Sequence, residues 1–138
     1  MLNVLLVEDN PAHAQLVIRG LENHPIDNTI HHVRDGEAAL NYLLNLSQGT
    51  RPDLVLLDLR IPKIDGLTVL ETIKANPDLN DIPVVVLTSS SARRDVTRAY
   101  SHHVNSYLVK PLEFEAFTNL MRDLGYYWLR WNTHPVIS

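Results

Sequence analysis

At 138 residues the chain is expected to form one domain around one packed core, and its 45% hydrophobic and 20% charged content excludes a disordered or fibrous class. A formal net charge of −4, with basic residues dispersed from Arg19 to Arg130 and adjacent only at Arg93 and Arg94, offers no basic stripe for nucleic acid. The absence of cysteine excludes disulfides, thiolate metal sites and cysteine nucleophiles, and is compatible with a reducing cytoplasm.

Leu2 to Val7 opens the chain as a short continuous apolar run, the form of a parallel strand covered on both faces. That run is too short for a signal peptide or a membrane span and lacks a basic leader, so a mature cytoplasmic protein without membrane contact is expected. Pro11 suits a first helical turn, Asp9 or Asn10 can cap it, and Leu16, Val17 and Leu21 carry the helix to about His24 and Pro25. Thr29 to Val33 is a more polar strand, as one nearer an edge would be. Asp35 to Leu46 then places Ala39, Leu40, Leu43 and Leu44 on one helical face. Leu54 to Leu57 is a second fully apolar strand, followed by a helix over Leu67 to Ala75 with Val69, Leu70 and Ile73 inward. Val84 to Leu87 is a third. Ala92 to His103 is a polar helix that only Val96, Ala99 and Tyr100 would anchor, so loose attachment is expected. Ser106 to Val109 is a weaker strand, and Glu113 to Leu124 a stronger helix. Strand and helix alternate throughout, which with right-handed crossovers predicts an α/β fold with a doubly wound parallel sheet of five strands and five helices.

Ligands in such a sheet sit outside the carboxyl ends of the strands. The first strand ends in Glu8 and Asp9, the third in Asp58, the fourth in Thr88 and Ser89, and the fifth in Lys110 and Pro111. Taken singly, each has a structural explanation: Asp9 as a cap, Thr88 as a strand residue, Lys110 as a surface charge, Pro111 as a helix starter. Jointly they fall at the same end of different strands. Packed acids repel, so a positive charge is expected among them. Oxygen ligands without histidine or cysteine select a hard cation, Mg²⁺ by preference, with a backbone carbonyl available to complete the shell. Lys110 can hold a carboxylate or a phosphoryl oxygen.

The segments "VLLVEDN", "DLVLLDLRIPKIDG", "VVVLTSS" and "SYLVKP" resemble, in order and spacing, the receiver domain of two-component response regulators from Leu2 to about Leu124. The resemblance implies a flavodoxin-like strand order 2-1-3-4-5 and a receiver domain over residues 1–124, with residues 125–138 as a C-terminal extension. It implies that Asp58 accepts a phosphoryl group from a sensor histidine kinase, and that Glu8, Asp9, Asp58 and the carbonyl of Arg60 hold Mg²⁺. Lys110 would offset phosphoryl charge, and Ser89 would leave room for the group and donate a backbone N–H. Thr88 and Tyr107 would carry the change to the face of the fourth helix, fifth strand and fifth helix. Pro62 and the Asp65-Gly66 pair would turn the chain sharply after Asp58 and keep it accessible. Arg60 and Ser90 flank the acceptor at positions that tune hydrolysis in the family, without the sign of the Arg60 effect being legible.

The segments "VRDGEAALNYL", "SHHVNSYLVKP" and "YYWL" resemble more narrowly the stand-alone receivers paired with bacterial and cyanobacterial phytochrome kinases. A phytochrome partner and a homodimer are therefore expected. "GYYWLRW" crowds two tyrosines and two tryptophans into seven residues, which suits either back-packing on the domain or a subunit interface formed with the fourth helix, fifth strand and fifth helix. His13, His24, His31, His32, His102, His103 and His134 lack convincing ligand spacing and are expected to be solvated surface residues. No helix-turn-helix follows Leu124, so no nucleic-acid partner is expected. Two alternatives stand beside the response regulator: a haloacid-dehalogenase-like Mg²⁺ phosphatase, which needs a second aspartate where Arg60 stands, and a phosphorylation-independent interaction module. The protein is expected to catalyse nothing beyond its own phosphorylation and dephosphorylation.

Overall fold

The computed structural model describes residues 2–24, 27–46 and 49–131. In chain order the elements are β1 (Leu2–Val7), α1 (Pro11–Glu22), β2 (Asn28–Val33), α2 (Gly36–Leu44), β3 (Leu54–Leu57), α3 (Gly66–Ala75), β4 (Val84–Thr88), α4 (Arg93–Ser101), β5 (Ser106–Val109) and α5 (Phe114–Gly125), with a π-helical segment over Tyr126–Trp131 continuing α5. All strand pairs are parallel, in the order β2-β1-β3-β4-β5.

Successive strand side chains point to opposite faces, and that period sorts the core into two layers. Leu5, Val7, Val55, Leu57, Val84 and Val86 pack with Ala39, Leu43, Val69, Leu70, Ile73 and Ala99 from α2, α3 and α4. Val4, Leu6, Leu54, Leu56, Val85 and Leu87 face the other way, onto Ala14, Val17 and Leu21 of α1 and Phe117, Met121 and Leu124 of α5. The central strands β1, β3 and β4 are thus covered on both faces, which is why they read as unbroken apolar runs.

Helix starts follow the capping chemistry. Of the two candidates before α1, Asn10 is the cap: its Oδ1 accepts from the N–H groups of Ala12 at 2.9 Å and His13 at 3.1 Å. Asp35 caps α2 through Ala38 N–H at 2.7 Å, and Asp65 caps α3 through Thr68 N–H at 2.9 Å. The first helix ends at Glu22, short of the expected His24 and Pro25, of which Pro25 lies outside the described residues. Two expected anchors prove exposed. Leu44, at the last residue of α2, turns to solvent, and Tyr100 of α4 is 51% exposed. The buried side chains of α4 are Ala99 and, unexpectedly, Asp95.

The aromatic segment packs back on the domain in part. Trp128 is buried against the α1/α5 layer, whereas Tyr126 and Tyr127 are exposed. Residues 132–138 of the extension lie outside the described residues. One histidine departs from the expected surface role in this region: His24 is buried, edge-on to Tyr126 with ring centroids 4.8 Å apart. Among the described residues no helix is long and apolar enough to cross a membrane.

Candidate functional site at the carboxyl ends of the strands

Three candidate side chains stand one residue beyond their strands, and each is pinned by one more bond in the direction of the sheet ladder. Glu8 N–H donates to Val33 O at 3.1 Å, Asp58 N–H to Val7 O at 3.0 Å, and Lys110 N–H to Thr88 O at 2.8 Å. The buried strands therefore fix where these side chains emerge. Glu8, Asp58, Thr88 and Lys110 are all buried polar residues, while Asp9 and Ser89 lie exposed beside them.

The Lys110 ammonium is the centre of the cluster. It donates to Glu8 Oε1, to Asp58 Oδ2 at 2.9 Å and to His13 Nδ1 at 2.9 Å. Glu8 Oε2 accepts from Asn10 N–H at 3.1 Å, and Asp58 Oδ1 from Arg60 N–H at 3.2 Å. Burial would push both acids up, but they respond differently. Burial pushes Glu8 up to about 7, with the Asp58 charge adding to the rise, despite the opposing bond and charge of Lys110. For Asp58 burial is outweighed by the hydrogen bond and charge of Lys110, the Arg60 N–H and the Thr88 hydroxyl, so its carboxyl falls below the usual range. At neutral pH Asp58 is thus a carboxylate, the form that can act as a nucleophile.

Glu8, Asp9 and Asp58 offer carboxylate oxygens that all lie within 4.8 Å of one another. Three acids against one ammonium leave negative charge uncompensated, and the Asp58 charge adds to the burial that raises the Glu8 carboxyl. The donor set therefore fits a divalent cation, and an all-oxygen set suits a hard one.

Histidines come closer to this cluster than their sequence pattern suggested. His32 Nε2 lies 2.8 Å from the Glu8 carbonyl, and His13 touches Lys110. The only sequence signal for His13 is its position one helical turn after Asp9, on the first turn of the helix that starts at the site.

Arg60, whose effect the sequence left undetermined, does not spend its guanidinium on Asp58. Its Nη2 donates to Asp95 Oδ2 at 2.7 Å, and the same oxygen accepts from Ser90 Oγ at 2.6 Å. The Ser90 carbonyl in turn accepts from the Tyr107 hydroxyl at 2.7 Å, and Ser90 N–H donates to Thr88 Oγ1 at 3.4 Å. Asp95 is the neighbour of the site that sequence inspection missed, since a bond spanning 35 residues has no periodicity to reveal it. The Ser90 hydrogen bond foremost, then the Arg60 charge, hold its carboxyl below the usual range against its burial. The Asp95 side chain is 5% exposed but that of Arg60 is 64% exposed, so solvent screens half of the pair. A double-mutant cycle of Arg60→Ala and Asp95→Asn in urea unfolding is expected to give a coupling of about 1 kcal/mol; a coupling indistinguishable from zero would show the contact to be energetically idle.

A family model described as the response regulator receiver domain matches residues 4–122. FilR2 of Methanothrix harundinacea, a probable methanogenesis regulatory protein, is 52% identical over 134 residues, covering 96% of this chain and 86% of its own length. Response regulator Rcp1 of Synechocystis is 42% identical over 135 residues, covering 96% of this chain and 92% of its own. The crystal structure of the Mn²⁺-bound form of Rcp1 superposes with a TM-score of 0.94 at 41% identity, over 99% of this chain and 100% of that one. The structure of the phosphorylated cyanobacterial phytochrome response regulator RcpA superposes with a TM-score of 0.93 at 38% identity, over 97% and 98%.

Proposed function

The chain belongs to the response regulator receiver family, and from that premise we propose that Asp58 is its phosphoacceptor, served by Lys110 and an acid-bound Mg²⁺. The observation that carries this reading is geometric: Asp58, one residue beyond β3, has one oxygen on the Lys110 ammonium at 2.9 Å and joins Glu8 and Asp9 in a cluster of carboxylate oxygens within 4.8 Å of one another. One Asp58 oxygen forms the new P–O bond as the P–N bond of a donor phosphohistidine breaks, and the electron pair leaves with the imidazole nitrogen. Glu8, Asp9 and Asp58, with the main-chain carbonyl of Arg60, would hold Mg²⁺, which when bound supplies neutralisation of phosphoryl charge. Lys110 holds the acceptor carboxylate before transfer and a phosphoryl oxygen after it. Ser89, exposed after β4, leaves space for the group and offers its N–H. A phosphatase of the haloacid-dehalogenase type is not favoured, because the position of its general acid is Arg60 and that guanidinium is engaged by Asp95.

Thr88 and Tyr107 carry the signal outward. The Thr88 hydroxyl moves toward the phosphoryl group, and Tyr107, already bonded to the Ser90 carbonyl, follows the β4–α4 loop. The surface they control runs over α4, β5 and α5, where Tyr100, Val109, Leu112 and Phe114 are exposed, Leu112 fully and Phe114 by 70%. With Tyr127 beside it, this apolar area supports a homodimer through that face and the extension. The reaction belongs in the cytoplasm, with no nucleic-acid output from residues 1–124.

The donor is a sensor histidine kinase. The likeness to Rcp1 and to the phytochrome regulator RcpA supports a phytochrome. The 52% identity to FilR2 favours a second reading, a kinase of a methanogenesis circuit, so both classes belong in the donor screen. Incubation with Mg²⁺ and acetyl phosphate, followed by intact mass and light scattering, tests the core reading. Wild type is expected to gain one phosphoryl group and Asp58→Asn none, on a particle of dimer mass. Wild type left unlabelled, or a label that survives Asp58→Asn, would remove Asp58 from the role; a monomer mass would remove the dimer.

A further inference from the structure

An ammonium has three N–H bonds, and in Lys110 all three have named acceptors: Glu8 Oε1, Asp58 Oδ2 and His13 Nδ1. The first two belong to the acid cluster. The third is a ring nitrogen from another element, 97 residues away in sequence, with no part in the chemistry described above. Because an ammonium can only donate, Nδ1 must accept, which places the ring hydrogen on Nε2 and makes the imidazole neutral. Burial and the Lys110 charge both favour that neutral form, against the charges of Asp58 and Asp9. The residue's main-chain N–H is bonded to the Asn10 cap at 3.1 Å, and the ring lies tilted against Phe117 with centroids 5.9 Å apart.

We propose that His13 is a positioning residue for Lys110, an uncharged acceptor outside the acid cluster that keeps the ammonium in place while its bond to Asp58 is exchanged for one to the phosphoryl group. The inference rests on the phosphoacceptor role of Asp58. Once an Asp58 oxygen becomes part of an acyl phosphate, that carboxylate no longer carries a full charge for Lys110, and one N–H must pass to a phosphoryl oxygen. Glu8 is needed among the acids. His13 changes neither charge nor covalent state during transfer, so its bond persists on both sides of the reaction. A lysine on a flexible four-carbon stem gains most from such a fixed third contact, since orientation lost at a charged group is lost rate.

The test separates the acceptor from the ring. His13→Phe keeps a ring against Phe117 and removes the acceptor; His13→Asn keeps an acceptor near the Nδ1 position and removes the ring. At saturating Mg²⁺ and acetyl phosphate, His13→Phe is expected to phosphorylate roughly tenfold more slowly, the lower end for losing a hydrogen bond to a charged group. His13→Asn is expected to recover most of that loss. Should His13→Phe fail to fold, as judged by its melt, His13→Ala replaces it in the comparison with His13→Asn. The Lys110 ammonium ¹H–¹⁵N resonance is a second readout that needs no phosphorylation: protected in wild type and His13→Asn, broadened by exchange in His13→Phe. Wild-type rates in His13→Phe, equal losses in both variants, or an unchanged ammonium resonance would each overturn the positioning role. A wild type that takes up no phosphate, with the resonance behaving as described, would instead overturn the phosphoacceptor reading and leave the His13 contact standing.

Discussion

Replacing Lys110 by alanine is expected to cost about 3–5 kcal/mol of unfolding free energy near pH 8, the range for removing one partner of a buried ion pair. The Lys110 side chain is 3% exposed, and those of Glu8 and Asp58 are 2% and 7% exposed, so water cannot replace the ammonium without opening the site. Two carboxylates would then face one another in a poorly solvated space. The escape is protonation, which Glu8 already approaches with its carboxyl pushed up to about 7. The cost of Lys110→Ala should therefore shrink as pH falls toward 5, and Mg²⁺ should restore more stability to the variant than to wild type, because a cation binding only the folded acids stabilises by linkage.

The sign of the wild-type pH dependence follows from the same two acids. The raised Glu8 carboxyl contributes stability that is fully present below its ordinary value of 4.5 and is lost as pH rises through about 7. Asp58 works in the opposite sense: its depressed carboxyl contributes stability above 3.8 that is lost as pH falls through its folded value. Metal-free wild type should consequently unfold at higher urea near pH 5 than near pH 8. Urea titrations of wild type and Lys110→Ala at both pH values check this, and a variant whose loss is independent of pH would contradict the account of the acid pair.

The sheet and the acid cluster were legible in the sequence for one physical reason. Strands buried on both faces must be apolar throughout, so the first polar residue after each run marks a strand end, and the doubly wound topology gathers those ends. Glu8 and Asp58 are such residues, while Lys110 follows the half-buried edge strand β5 and is placed by the topology. Contacts that depend on where a helix surface lands carry no comparable mark. Asp95 looks like an ordinary acid in a polar helix, and only the fold reveals that Arg60 and Ser90 reach it. His13 reads as one more surface histidine until α1 is docked against α5 and its first turn meets Lys110. Tyr100 and Leu44 were misplaced for a related reason: apolar character at helical spacing indicates a possible face, but short helices of nine residues leave room for the end residues to turn out. For the aromatic extension, sequence alone offered back-packing and an interface as rivals, and burial assigns Trp128 to the first, while Tyr127 is exposed.

Gly66→Ala is expected to cost roughly 3 kcal/mol, the upper end for forcing extra volume into a packed site. Gly66 begins α3 and donates its N–H to the Leu59 carbonyl at 3.1 Å, which folds the "RIPKIDG" loop back under the acceptor. A Cβ at this position would lie 2.4 Å from the Asp58 carbonyl oxygen and 2.5 Å from Leu59 Cα. Both obstacles are main chain, so no side chain can rotate out of the way; either α3 or the acceptor loop must shift. A shift of the loop moves Asp58 relative to Lys110, and misplacement by about 1 Å can cost two orders of magnitude in a positioned transfer. Phosphorylation by acetyl phosphate should therefore fall at least tenfold even under conditions where the variant remains folded. Gly49→Ala is the internal comparison, since its Cβ would meet only the Tyr42 ring edge, at 3.3 Å, and that side chain can yield. Urea unfolding and intact-mass labelling of the two variants distinguish the cases: a Gly66→Ala loss below 1 kcal/mol, or labelling at the Gly49→Ala rate, would mean that the acceptor loop has more slack than its close approach to α3 allows.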